Sequence, residues 1–288
     1  MQPYWGSTVQ TFALSSAAEC NPGGPPTYAE AAGSEFYNQA LEVHDLVTNA
    51  TPDHVAIARF WADGPGTISG PGHSLSITHP VRARQLSETK FALEGTPTDC
   101  VLFAVKHLLK DHKPDIVLSG VNRGGNMSDD VTYSGTIAGA MEGCLLGIPS
   151  IAFSQTYTHP HPLKWDTATQ FGADVARRAL GMNIPRNVLI NVNFPDVAPA
   201  ADKGVRVTRQ GVRGFGGAIV ERTDPRGGTY YWIAYAPGQH EHDDESDLTS
   251  VRSGYISVTP LHLDLTHEAT RRKLAAEFAA HGAAAKAD

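Results

Sequence analysis

"KPDIVLSGVNRGGNMSDDVTYSGTIAGAMEG", residues 113 to 143, decides how the rest of the chain is read. It opens with a short apolar run between Pro114 and Gly120, the pattern of a strand buried on both faces. It closes with the helix-like "TIAGAMEG". Strand, glycine-rich loop and helix in that order make one unit of a parallel α/β sheet, and ligands bind beyond the carboxyl ends of such strands. Gly120, Gly124, Gly125 and Gly135 let backbone amides approach a ligand, and Ser134-Gly135-Thr136 falls where a helix start presents free N–H groups. Such a nest fits an oxyanion, phosphate first. Asn122 and Asn126 add neutral carbonyl oxygens suited to a hard divalent cation or a substrate hydroxyl. Clusters of Gly and Asn also make plain turns, and Asp129-Asp130 reads as a solvated cap before the helix rather than as metal ligands.

Outward from this stretch, helices and strands alternate. "TPTDCVLFAVKHLLKDH" predicts a helix capped by Thr96 with Pro97 at its first position. "SLSITHPVRARQL" and "KFALEG" before it read as extended. After the central unit, "IPSIAFS" predicts a strand, "WDTATQFGADVARRALG" an amphipathic helix ending at Gly181, and "RNVLINVNFP" and "KGVRVTRQG" two strands. "GTYYWIAYAPG" and "GYISVTPLHLDLT" then read as the two arms of a long hairpin, 229–237 and 254–265, too aromatic for a solvated extension and therefore a surface for self-association. "EATRRKLAAEFAAHG" closes as a helix.

The first 68 residues differ in texture. They are turn-rich, and only "SEFYNQALEVHDLV" and "TPDHVAIARFWAD" carry helical spacing. An irregular, partly helical head is expected at 1–68, packed outside the α/β body and placing no strand in the middle of its sheet.

Bulk properties restrict the function. A chain of 288 residues with 41% hydrophobic content supports one α/β domain and an appendage. A formal charge of −7, spread along the chain, argues against a nucleic-acid polymer or a membrane surface as partner. Cys20, Cys100 and Cys144 lack metal or disulfide spacing and read as small buried hydrophobes. No apolar run approaches the roughly 20 residues of a membrane span, and no secretory leader is evident, so a cytoplasmic address is expected.

The order "SGPGHSLSIT", "GTPTDC", "PDIVLSGVNRGGN", "DDVTYSGTIAGAMEG", "IPSIAFS", "NVNFP", "DPRGGTYYWI", "GYISVTPLHLDLT" resembles the SurE family of divalent-metal-dependent nucleotidases over about residues 69 to 266. The resemblance implies a Rossmann-like domain at 69–288, a protruding hairpin used in dimerisation, and hydrolysis of nucleoside monophosphates or other small phosphomonoesters. It implies a magnesium or manganese ion held by Ser69 and Asn122, and phosphate contacts from Asn126, Ser134, Gly135 and Thr136. A homodimer or tetramer through 229–265 follows from it. The family's first strand ends in Asn-Asp-Asp-Gly, whose aspartates are the anionic metal ligands. Here no Asp-Asp-Gly precedes residue 69, and the only aspartates there are Asp45, Asp53 and Asp63. Neutral ligands alone hold magnesium or manganese weakly, so impaired catalysis, or a catalytically silent phosphate- or nucleotide-binding protein, is the alternative expectation. In the head, "PYWGSTVQTFALSS" and "IARFWADGPGT" look like a fragment of the vanadium-dependent haloperoxidase family, without that family's basic and histidine vanadate-binding run.

Overall fold

A computed structural model describes residues 10–15, 56–62, 72–87, 90–111, 113–158, 163–213, 216–236 and 243–284. Its centre is the strand anticipated at "IVLSGV". β5 (Ile116–Arg123) pairs in parallel with β6 (Ser150–Gln155), and β6 pairs in parallel with β7 (Val188–Phe194). Alternate residues of these strands feed two cores. Ile116, Leu118, Ile151, Phe153, Ile190, Val192 and Phe194 pack on one face, against Ala168, Val175, Ala176 and Ala179 of helix α3 (Asp166–Leu180). On the other face Ala152 and Leu189 meet Ile137, Ala140 and Cys144 of helix α2 (Gly135–Leu145), while Val117 packs with Val101 and Val105. Burial on both faces explains the uninterrupted apolar run, each fully buried Leu, Ile or Phe contributing about 1.5–3 kcal/mol. Helix α2 lies close to the sheet through Gly143, where a Cβ would stand 2.3 Å from the Ser150 hydroxyl and 2.9 Å from Val117 Cβ.

Helix α1 (Pro97–Phe103) starts as expected. Thr96 accepts the Asp99 amide at 3.1 Å, and the Asp99 carboxylate returns a bond to the Thr96 amide at 2.8 Å. The same carboxylate accepts the Ser76 amide and hydroxyl at 2.9 and 2.7 Å, tying the segment before β3 (Arg82–Ser87) and β4 (Lys90–Glu94) to the helix. Burial raises the Asp99 carboxyl, but the bonds from Ser76 and Thr96 outweigh it and hold the group below the usual carboxylate range. Cys100 and Cys144 are buried free thiols, both pushed up by burial, as small hydrophobes would be. Cys20 lies outside the described residues.

The sheet runs β3-β4-β2-β1-β5-β6-β7-β11-β8 and is mixed, with β1 at Gln10–Ser15, β2 at Ala56–Ala62, β8 at Val205–Val207 and β11 at Ile256–His262. Two of its strands correct the expected head. β1 (Gln10–Ser15) lies between β2 (Ala56–Ala62) and β5, antiparallel to both, so the first residues supply a central strand. "AIARFWA", assigned to a helix from its spacing, is a strand seven residues long. Short apolar runs fit either period, and the edges of β1 and β4, between which this segment pairs, settle the choice, helped by the aromatic and β-branched content. The second expected helix, in 34–47, lies outside the described residues.

The long hairpin is also corrected. β10 (Thr229–Ala236) pairs antiparallel with β9 (Gly216–Thr223), not with the later arm. The turn between them is local chemistry. The Asp224 carboxylate accepts the amides of Arg226 and Gly228 at 2.7 and 2.9 Å, and Gly227 adopts φ +85°. The later arm, β11 (Ile256–His262), enters the main sheet between β7 and β8 (Val205–Val207), where Ile256 and Leu261 are buried. A six-residue helix, α4 (Asp247–Arg252), precedes it, and α5 (Glu268–Ala284) follows as expected. Among the described residues no helix is long and apolar enough to cross a membrane.

Candidate active site

The carboxyl end of β5 is broken on purpose by Gly120. Its φ is +128°, and a Cβ there would sit 2.4 Å from the Phe153 carbonyl oxygen, so only glycine allows β5 to approach β6 this closely. The register between the strands slips between Ser119 and Asn122, which re-aims the residues beyond. Asn122 follows the slip, 6% exposed. Its amide nitrogen donates to the Gly124 carbonyl at 2.9 Å, while its Oδ1 is buried without a donor. An unsatisfied buried acceptor costs about 1–3 kcal/mol, and a neutral oxygen so placed suits a hard divalent cation. Ser69, the second expected metal ligand, lies outside the described residues.

Asn126 lies in a knot of buried polar groups. Its backbone N–H donates to Asn193 Oδ1 at 2.8 Å, and its carbonyl accepts Asn191 Nδ2 at 2.8 Å and Asn193 Nδ2 at 3.1 Å. Its side-chain amide donates to the Ser154 hydroxyl at 2.7 Å. The loop is therefore bolted to β6 and β7. In "VLINVNF" two asparagines alternate within an otherwise apolar strand, a signal of buried hydrogen bonding that the sequence reading passed over.

Ser134, Gly135 and Thr136 form the helix start that was expected. Ser134 caps α2, its hydroxyl oxygen accepting the Ile137 amide at 3.1 Å, and its carbonyl accepts the Ala138 amide at 3.0 Å. The amides of Gly135 and Thr136 come before these and have no intrahelical acceptor in an α-helix. Thr136 is fully buried and its hydroxyl lacks a partner. A buried helix start with an unpartnered hydroxyl fits an oxyanion better than a plain turn.

The acidic pair differs from expectation. Asp129 and Asp130 lie in a short 3-10 helix (Ser128–Tyr133), but Arg213 engages both, its amide donating to Asp129 at 3.0 Å and its guanidinium pairing with Asp130. Burial raises the Asp130 carboxyl and the Arg213 charge opposes it. Among the described residues, no group of three or more His, Cys, Asp or Glu is placed to hold a metal. His73 pairs with Glu142 of α2 at 3.1 Å. Arg213, and Asp247 at the start of α4, were missed because nothing local marks them. Their partners in the Ser128–Tyr133 turn lie more than 80 residues away in sequence.

Comparison with known proteins matches residues 65–216 to the family described as Survival protein SurE. A curated relative, the 5'-nucleotidase SurE of Paramagnetospirillum magneticum, is 52% identical over 219 residues, covering 76% of this chain and 84% of that protein. The 5'-nucleotidase SurE of Methylobacterium sp. (strain 4-46) is 50% identical over 240 residues, covering 82% of this chain and 92% of that protein. Among solved structures, the SurE protein from Aquifex aeolicus superposes with a TM-score of 0.63 at 40% identity, covering 71% of this chain and 82% of that one.

Proposed function

The chain belongs to the SurE family, and from that premise we propose that it is a divalent-metal-dependent 5'-nucleotidase, releasing phosphate from nucleoside monophosphates. The observation that carries the reading is the buried Asn122 Oδ1 without a donor, on the same strand, loop and helix unit as the capped helix start at Gly135. Asn122 and Ser69 would hold magnesium or manganese. That ion supplies Lewis acidity at the phosphoryl group and lowers the pKa of water. The rest falls to the chain itself. The Gly135 and Thr136 amides and the Thr136 hydroxyl bind phosphate oxygens and stabilise the charge that develops on them. Ser134 keeps its O–H free to donate while its oxygen caps the helix, and Asn126 keeps its second amide N–H after serving Ser154.

A second reading, a phosphate- or nucleotide-binding protein with little or no turnover, is favoured by the lack of Asp-Asp-Gly before residue 69. Phosphate release from nucleoside monophosphates, with manganese or with EDTA, separates the two. Chelator-sensitive release supports the nucleotidase. Binding of phosphate without release supports the second reading, and absence of both overturns the site.

The nucleotidase body is proposed to span 69–288, with 1–68 a foreign head that lends β1 and β2 to its sheet. Self-association as a homodimer or tetramer is proposed through the 229–265 region, with β9 joined to it as the partner of β10. Its support is the exposed Ile219, Tyr230, Tyr231 and Trp232 on β9 and β10, an apolar surface that the described residues leave without cover.

A further inference from the structure

The turn ahead of the helix start is held by a segment that takes no part in the site as described so far. Ser128 opens that turn with φ +55°, a left-handed conformation uncommon for any residue but glycine. The fully buried Asp247 carboxylate accepts the Ser128 amide at 2.9 Å and its hydroxyl at 3.3 Å, along with the amides of Gly211 at 3.1 Å and Leu248 at 2.7 Å. Gln210 Nε2 donates to the Ser128 carbonyl at 2.9 Å. Three residues on, Arg213 spans both aspartates of the turn, by its backbone to Asp129 and its side chain to Asp130. Residues 209–213 and the start of α4 therefore form one clamp on Ser128–Tyr133, and Ser134 caps the helix directly after it.

The charges give the clamp a second consequence. Two carboxylates within one short turn of a phosphate site repel a phosphate dianion, and the repulsion is stronger where burial lowers the local dielectric. The Arg213 guanidinium is the counter-charge the structure sets against that pair.

We propose that Arg213 and Asp247 are positioning residues for the phosphate site: Asp247 fixes the Ser128 turn that delivers Ser134, Gly135 and Thr136, and Arg213 screens Asp129 and Asp130 from the incoming phosphoryl group. The proposal rests on the reading of Ser134 to Thr136 as the phosphate site. It adds a role for two residues that act through the turn before the helix start.

The test uses the full-length protein and inorganic phosphate as the probe, with its inhibition constant, KM and kcat for a nucleoside monophosphate, and thermal midpoint all measured. Arg213→Met is expected to raise KM and the phosphate inhibition constant on the order of tenfold, the scale of one charged hydrogen bond, with a smaller change in kcat. Arg213→Lys keeps the charge without the fork and is expected to lose less. Adding Asp130→Asn to Arg213→Met removes one repelling carboxylate and is expected to restore much of the phosphate affinity, which a purely structural role for Arg213 would not produce. Asp247→Asn is expected to weaken phosphate binding at temperatures where the protein remains folded. Should Arg213→Met fail to fold, Arg213→Lys alone with and without Asp130→Asn carries the test. Unchanged phosphate inhibition in a folded arginine variant, or a loss that Asp130→Asn leaves in place, overturns the positioning role while sparing the phosphate site. A wild-type protein that binds no phosphate overturns the site and this proposal with it.

Discussion

β5 and β10 are both apolar strands, "IVLSGVNR" and "TYYWIAYA", yet they end in opposite environments. The first five residues of β5 are buried, whereas Tyr231 and Trp232 of β10 are 61% and 58% exposed. β5 sits inside a broad sheet with side chains packed on both of its faces, while among the described strands β10 has only β9 for a neighbour. A two-stranded sheet offers its side chains no second layer of its own to pack on and is marginal alone, so its apolar side chains stay exposed. Apolar content makes a strand. The elements stacked on it decide what that strand buries.

Replacing Leu118 by Ala should test the buried side most severely. A cavity at this position is expected to cost about 2–5 kcal/mol in urea unfolding, against about 0.5 kcal/mol or less for Trp232→Ala under dilute conditions. Equal costs would erase the difference between the two strands. Next in size is Asn122→Ala, which takes away the orphaned oxygen near the carboxyl end of β5. Manganese-supported phosphate release should fall about 100-fold, given that weakening a ligand's outer support already costs 10- to 100-fold. The melting temperature should change little, so a loss of fold with activity would contradict a ligand role.

On the exposed side, removal of 216–236 should leave the main sheet folded and lower the mass seen by light scattering. An unchanged mass would detach self-association from β9 and β10. The smallest effect concerns Asp99, which anchors Ser76 beside the sheet. Its folded pKa lies below the unfolded value, so its stabilisation is present above about pH 4 and is lost as pH falls through the folded value. Asp99→Asn should therefore flatten the fall of melting temperature below about pH 4. A slope equal to wild type would show that the carboxylate bonds add nothing on folding.

Local patterns carried much of this molecule. The run at Ile116, the cap and proline at Thr96 and Pro97, and the serine before Gly135 each act within a few residues, and the structure places the corresponding elements where they were read. The "TDPRGGT" turn was equally local but was overlooked, so the hairpin was paired with the wrong arm. The segment "AIARFWA" was ambiguous in principle, since so short and mostly apolar a run fits helix or strand until a neighbouring edge is known.

The sequence by itself determined the βα unit at 116–145, the glycine break at its centre and the helix start that ends the loop, because glycine conformation, capping and two-sided burial are properties of neighbouring residues. Tertiary structure alone decided that β1 enters the middle of the sheet, that β11 leaves the hairpin for β7, and that Asn191, Asn193, Asp247 and Arg213 grip the loop from afar. Those choices depend on which sheet edges and which buried polar groups are left to satisfy once the chain has collapsed. A buried carboxylate or amide is stable only where a partner meets it, and that partner is fixed by the packing of distant segments rather than by the residues on either side.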